Sequence, residues 1–335
     1  MPVAKPAAYA RSVKVVLAAA AAMLLAGAGG NANGAPAQSR IAFGLEHGSV
    51  SSLYTVWPNG TGLRRVTVPP TRQDLGGDSG PVWSPDGRRL VFERNLPYWG
   101  NDRFRLNAVP ATGGIAKALT PGPFDVMPSV SPDGRRIAFT RLVASVVTPA
   151  ISLFTVNARG QRPAQLLAGG FDLSPAWSPD GKAIVFSRLL SETAPIDAAE
   201  LFVAAADGSH VRPLGPGLNG VSPAWSPDGS RLAFVSFADH NGATCPGSNC
   251  SPNGELYVVN ADGSGLRRLT SSRADDEHPT WSPDGTRIAF ASGFVLSKEG
   301  HRPWLMAMPA VGGHAVRIGR FAGVLDPAWS PAGTR

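Results

Sequence analysis

The sequence predicts an all-β fold: a six-bladed β-propeller of four-stranded blades, its ring closed by N-terminal strands pairing with the C-terminal strand. Three observations predict it. A segment of the form Pro-x-Trp-Ser-Pro-Asp-Gly, followed by Arg-Ile-Ala-Phe or a close variant, recurs through the chain. The copies start at Pro81, Pro128, Pro175, Pro223, Pro279 and Pro327, in steps of 47, 47, 48, 56 and 48 residues, the period of a four-stranded propeller blade. The last copy reaches only PAWSPAGTR, and the strand it lacks stands near the other end as Arg40-Ile41-Ala42-Phe43, with Arg335 and Arg40 both at the repeat position of Arg287.

Each repeat divides into four strands. Pro-x-Trp-Ser forms strand A, Arg-Ile-Ala-Phe strand B, a Leu-Tyr-Val-Val segment strand C and Arg-Arg-Leu-Thr strand D. The A-B hairpins occupy residues 81–92, 128–139, 175–186, 223–234 and 279–290, and the C-D segments begin at Leu53, Leu106, Leu153, Leu201, Leu256 and Leu305. The turns have a chemical cause: Pro presets one turn dihedral, and Asp-Gly and Asn-Gly accept the positive φ of tight hairpins. Trp83, Trp177, Trp225, Trp281 and Trp329 recur on strand A and read as packing between blades, with apolar Val130 in the same place in the second repeat. A closed ring leaves no open sheet edge.

Residues 1–37 read as an export signal. They carry Lys5, Arg11 and Lys14, then an apolar run over 15–26 and small residues up to Ala35-Pro36-Ala37, near which cleavage is expected. The apolar run is shorter than the roughly 20 residues of a membrane span. Ala28 stands where a lipoprotein signal has its lipidated Cys. The expectation is a soluble monomer, exported to the periplasm or the exterior, with the propeller over residues 38–335. Of the formal net charge of +7, three cations leave with the signal. The remaining basic residues are scattered over the repeats, which excludes a nucleic-acid module. The two cysteines, Cys245 and Cys250, lie in one long insertion. In an exported chain they predict a small disulfide loop; a metal site with His240 is the alternative.

The W-S-P-D-G hairpin, the Ile-Ala-Phe after it, Leu-Tyr-Val-Val-Asn-Ala-Asp-Gly and Arg-Arg-Leu-Thr together resemble the TolB-like β-propeller repeat across residues 38–335. The resemblance implies an exported propeller that binds a partner. TolB proteins carry an α/β domain before the propeller and act as periplasmic partners of a peptidoglycan-associated lipoprotein; here strand B begins at Arg40, and no such domain is expected before it. Similar blades occur beside peptidase domains and in polysaccharide lyases, so the fold alone leaves the activity open.

The B-to-C loops differ in length and content and lie at the same end as the D-to-A connections, where recognition on a rigid scaffold is expected. There Asp78, Asp125 and Asp172 stand three residues before the repeat Pro, facing Arg94, Arg141 and Arg188 by register; these read as structural ion pairs. Asp276 faces Ser292 instead, and Asp275, Glu277, His278 and Asp326 have no repeat-position Arg opposite them. These five residues, with the adjacent aromatics Tyr98 and Trp99 of the first-repeat loop, are the candidate binding residues. Gly77-Asp78-Ser79-Gly80 mimics a serine-protease motif, but Asp78 is a periodic position and no such fold surrounds the serine. The expectation is a non-catalytic scaffold without cofactor that binds an envelope protein or a cell-wall-associated ligand. The alternative is a polysaccharide lyase or hydrolase using His278 with Asp276 or Glu277 as acid and base, with a divalent cation held by carboxylates. His47, His240, His278 and His301 all map to the loop end.

Overall fold

Short apolar runs punctuated by Pro-Asp-Gly turns fold the described residues mainly into antiparallel strands. The computed structural model describes residues 39–68, 76–96, 103–122, 124–143, 150–191, 194–238, 253–272, 274–293 and 302–333. The expected signal over 1–37, the aromatics Tyr98 and Trp99, the cysteines Cys245 and Cys250, and His240 and His301 lie outside them.

Among the described residues there are 24 strands and a single 3-10 turn, Ile196–Ala198. The first seven strands are β1 (Ile41–His47), β2 (Val50–Val56), β3 (Arg64–Arg65), β4 (Gly76–Trp83), β5 (Arg89–Asn95), β6 (Phe104–Pro110) and β7 (Lys117–Ala118). Four free-standing four-stranded sheets follow. The first holds β8 (Asp125–Val130), β9 (Arg136–Val143), β10 (Ala150–Asn157) and β11 (Ala164–Gln165). The second holds β12 (Phe171–Trp177), β13 (Ala183–Leu189), β14 (Glu200–Ala205) and β15 (Arg212–Pro213). The third holds β16 (Val221–Trp225), β17 (Arg231–Ser236), β18 (Glu255–Asn260) and β19 (Arg267–Arg268). The fourth holds β20 (Asp275–Trp281), β21 (Arg287–Gly293), β22 (Trp304–Pro309) and β23 (Val316–Ala322), and the chain finishes in β24 (Val324–Trp329).

This is an all-β propeller, with a correction to the blade count. The repeats predict six separate blades, whereas hydrogen bonding forms four separate four-stranded blades and one eight-stranded sheet in the order β24-β1-β2-β4-β5-β6-β7, with β3 on β2. The cause is a short parallel bridge between β2 and β4, Val50 with Gly76 and Ser51 with Gly77. Glycine permits the approach: a Cβ on Gly77 would lie 2.5 Å from the Ser51 amide nitrogen and 2.9 Å from its carbonyl oxygen. At the chain ends, β1 pairs antiparallel with β24, Ile41 opposite Trp329 and Ala42 opposite Ala328. Ser330 N donates to the Arg40 carbonyl at 2.8 Å, and Arg40 N to Ser330 Oγ at 2.9 Å.

The B strands are buried on both faces, which explains their continuous apolar runs. Phe43, Phe92, Phe139, Phe186, Phe234 and Phe290, one per repeat, are all at most 1% exposed. The repeat tryptophans sit at the seams between sheets. The indole N–H of Trp281 donates to the Ala224 carbonyl at 3.0 Å, that of Trp225 to Ala176 at 3.2 Å and that of Trp83 to Ala328 at 3.0 Å. Arg136, Arg231 and Arg287 stack over Trp177, Trp281 and Trp329 of the next sheet at 4.5, 4.9 and 5.1 Å. Each A-B turn is locked from within: Ser84 Oγ donates to Asp86 Oδ1 at 2.6 Å, and the same pair recurs at Ser131, Ser178, Ser226 and Ser282. Among the described residues no helix is long and apolar enough to cross a membrane.

The β2–β4 bridge makes Gly77 a sensitive position. Gly77→Val is expected to lower stability by about 1–3 kcal/mol through overpacking against the Ser51 backbone, read as a lower urea midpoint. An unchanged midpoint would show that the bridge contributes nothing.

Candidate functional site

Strand A carries an irregularity in every repeat. The residue just before the repeat Pro is Gly80, Met127, Ser174, Ser222, His278 or Asp326, with φ of 56°, 54°, 51°, 53°, 51° and 46°. The ladder shifts register at this point, between Ser79 and Val82, Val126 and Ser129, Leu173 and Ala176, Val221 and Ala224, and Glu277 and Thr280. A β-bulge re-aims one side chain, and a left-handed φ on a non-glycine residue costs on the order of 1–3 kcal/mol. Residues at this position touch from repeat to repeat. Ser174 Oγ lies 3.4 Å from Met127 Sδ, Gly80 N donates to Asp326 Oδ2 at 3.0 Å, and His278 Nε2 lies 3.0 Å from Asp326 Oδ1.

Chemistry concentrates where the bulge residues are His278 and Asp326, whose side chains are 39% and 28% exposed. Asp326 therefore bridges two repeats, taking the imidazole on one oxygen and the Gly80 amide on the other. Glu93 of β5 completes the group, and the sequence reading missed it. It sits on strand B among apolar positions, and only the bulge of the next repeat gives it a role: Met127 N donates to Glu93 Oε1 at 2.6 Å. Burial, then the negative charge of Asp326, pushes the Glu93 carboxyl up to about 7, against the pull of the Met127 amide and His278. Desolvation disfavours the His278 imidazolium, but Asp326, Glu277 and Glu93 outweigh it and raise its pKa. The result is a partly open histidine–carboxylate pair beside a buried carboxyl that holds its proton near neutrality, an arrangement able to grip a polar or cationic group or to exchange protons with it.

The acids that start strand A divide into two kinds. Arg94 forks Asp78 at 2.6 and 2.8 Å, Arg141 forks Asp125 at 2.5 and 2.8 Å, and Arg188 forks Asp172 at 2.6 and 3.0 Å, all three carboxylates fully buried. Such bidentate charge-assisted pairs hold their geometry closely. Asp276 occupies the same repeat position with Ser292 opposite. It is 2% exposed, and its Oδ1 has no hydrogen-bond partner. Burial pushes its carboxyl up to about 7; the Ser292 and Thr270 hydroxyls pull it down, and Glu255 and Glu277 push it up.

Asp275, 6% exposed, is also pushed to about 7, by burial and then Glu277, although Gly254 N donates to its Oδ1 at 2.7 Å. Glu255, fully buried, adds a third carboxylate, held by Arg268 at 3.1 Å and by Thr270 Oγ1 at 2.6 Å. The candidates thus separate: His278 and Asp326 meet, with Glu277 acting on His278 through charge, whereas Asp275 and Asp276 are buried in the seam against β18. His47 stands apart, its Nε2 3.1 Å from Tyr54 Oη.

No protein-family model matches the chain. A TolB homolog of Chlorobium luteolum is 50% identical over 38 residues, 11% of this chain and 9% of that protein. A TolB homolog of Chlorobium chlorochromatii is 32% identical over 82 residues, 24% of this chain and 18% of that protein. The matched stretches therefore span less than a fifth of either relative. Among solved structures, TolB of Acinetobacter baumannii superposes with a TM-score of 0.65 at 20% identity, covering 88% of this chain and 67% of that one. A protein assigned to TolB from Agrobacterium tumefaciens gives 0.62 at 20% identity, covering 89% and 98%. Enzymes share the fold as well: oligogalacturonate lyase of Vibrio parahaemolyticus gives 0.51 at 14% identity, covering 84% and 74%.

The buried acids set the pH response. Asp276 has an ordinary value of 3.8 and about 7 in the fold, so the folded chain binds this proton more tightly than the unfolded chain. That stabilisation is complete below about pH 4 and is lost as pH rises toward 7. His278, also raised, loses its stabilisation as pH climbs past its ordinary 6.5, in the same direction. Stability should fall from pH 5 to pH 8, and Asp276→Asn should flatten that slope and exceed the parent at pH 8 by at most about 4 kcal/mol. An unaltered slope in the variant would clear Asp276 as its source.

Proposed function

We propose that this chain, a TolB-like β-propeller, is an exported binding scaffold that takes a protein partner of the cell envelope at the group formed by Glu277, His278, Asp326 and Glu93. The observation that carries this reading is the bulge shared by all six repeats, which costs strain in the five that place a non-glycine there and carries an ionisable pair only at His278 and Asp326. A rigid scaffold that presents one polar group at the end from which the differing B-to-C loops start suits recognition. The likeness to TolB structures supports a protein as the partner.

The same reading extends to the whole chain. Residues 1–37 act as the export signal. The eight-stranded sheet counts as two blades joined at the Ser51–Gly77 bridge, which brings the number to six. The ring closes through β24, which packs on β20 and on β4 as well as pairing with β1.

A second reading has a specific observation in its favour. His278 paired to Asp326, beside a Glu93 carboxyl near pH 7, has the make-up of an acid–base couple, and a lyase is among the proteins of this fold. Acid–base elimination or hydrolysis of an acidic polysaccharide, with His278 and its neighbouring carboxyls exchanging the protons, is the corresponding reaction class.

The test is a cross-linked capture from envelope extract by the mature chain and by a Glu277→Gln, His278→Gln, Asp326→Asn variant of matched melting temperature. A protein retained by the parent and at least tenfold depleted by the variant is expected. Equal capture by both would remove the site from binding. Turnover of polygalacturonate by the parent, abolished in the variant, would install the enzyme reading instead.

A further inference from the structure

At the turn end of the propeller, away from the strand starts that carry Asp275 and Asp276, Arg135, Arg159 and Arg162 line a single recess of about 410 Å³ together with Gly134, Asn157, Ala158 and Gln161. Arg135 comes from the A-B turn before β9, and the other two from the C-D turn after β10. The turns are fastened together, since Ala158 N donates to the Arg135 carbonyl at 2.9 Å. All three arginines are exposed, and among the described residues no carboxylate lies within ion-pairing distance of them.

Three of the other repeats show how this turn is commonly capped. By register with the strands, Arg159 aligns with Asn59, Asp207 and Asp262. In each of those turns the side-chain Oδ1 accepts the amide two residues on: Thr61, Ser209 and Ser264, at 3.0, 2.9 and 2.9 Å. Arginine cannot accept. The capping has moved to Asn157, whose Oδ1 takes both Arg159 N at 3.0 Å and Gln161 N at 2.9 Å. Arg162 aligns with Gly62, His210 and Gly265 and holds a φ of 56°, where glycine is the unstrained choice. At these two positions, which vary among the repeats (Thr112 and Val311 at the first, Ile115, His210 and His314 at the second), this turn alone places an arginine at both. Arg135 joins them in the lining, and among the described residues the carboxylate in these turns is Asp133, whose Oδ1 accepts the Arg135 amide at 3.0 Å without forming an ion pair with a guanidinium.

We propose that this recess binds a phosphate-type oxyanion, held by the Arg135, Arg159 and Arg162 guanidinium groups, whose planar forks match its oxygens. The size suits a phosphorylated small molecule or a phospholipid headgroup. The site is independent of the reading offered for His278 and Asp326.

The experiment is calorimetric titration of the full chain with inorganic pyrophosphate, beside an Arg159→Asp, Arg162→Gly variant that takes the residues of the Asp262 and Gly265 turn. Saturable binding by the parent is expected, weakening steeply with salt, and at least tenfold loss in the variant with an equal or higher melting temperature. Absence of saturable binding, or equal affinity in both, overturns the proposal. Flotation with phosphatidylglycerol and with phosphatidylcholine vesicles identifies the source. Retention on the first alone, lost in the variant, assigns a lipid headgroup; pyrophosphate binding without retention assigns a soluble phosphate ester.

Discussion

Everything in this molecule depends on the seam between one sheet and the next. A four-stranded sheet has two faces, and here the central strands are apolar on both. They are stable only when a neighbouring sheet covers each side. The six phenylalanines of the B strands mark the depth of that burial, and each such side chain contributes about 1.5–3 kcal/mol on leaving water. The tryptophans add direction to what would otherwise be a greasy contact. An indole N–H reaching a carbonyl of the preceding sheet, as Trp281 reaches Ala224, fixes the height at which two sheets meet, and an arginine stacked over the ring seals it from solvent.

Because the seam is repeated, its exceptions are informative. Three repeats close the start of strand A with an Asp–Arg fork, whose charges neutralise each other inside the protein. At Asp276 the arginine is replaced by Ser292, and burial is relieved by protonation instead. At the equivalent place beside β1 and β24 the pair is apolar, with Val324 and Leu45 both buried. In these five repeats the position has therefore been solved in three ways, charge pairing, proton uptake and hydrocarbon contact, while the remaining repeat places Gly220 there, opposite Ser236. The bulge on strand A follows the same logic. The backbone distortion is common to all repeats, so it belongs to the architecture. The identity of the residue placed there is free to vary, and His278 and Asp326 use that freedom.

Much of this was legible in the sequence. The period, the turn residues and the alternation gave the strands. Counting outward from each Ser-Pro-Asp-Gly turn placed Asp78, Asp125 and Asp172 opposite their arginines, because register in a hairpin follows from its turn. Glu93 was not legible. It stands at an ordinary strand-B position, and its importance comes from the Met127 amide of the next repeat and from the charge of Asp326, more than 200 residues away in sequence. Nor could the sequence divide the candidate acids, since alternation along β20 does not tell which carboxylates a neighbouring sheet will cover. Asp275 and Asp276 proved buried, while His278 and Asp326 kept contact with solvent.

The sequence by itself determined the all-β repeat, the turn chemistry and the local hairpin pairings, since these rest on interactions between residues close along the chain. The tertiary structure alone decided which repeats fuse into one hydrogen-bonded sheet, which carboxylates lose their water and which side chains meet across a seam. Those outcomes depend on how closely two backbones approach, as Ser51 and Gly77 do, and on the electrostatic cost of a charge surrounded by another sheet. Both are properties of distance in space, which spacing along the chain does not encode.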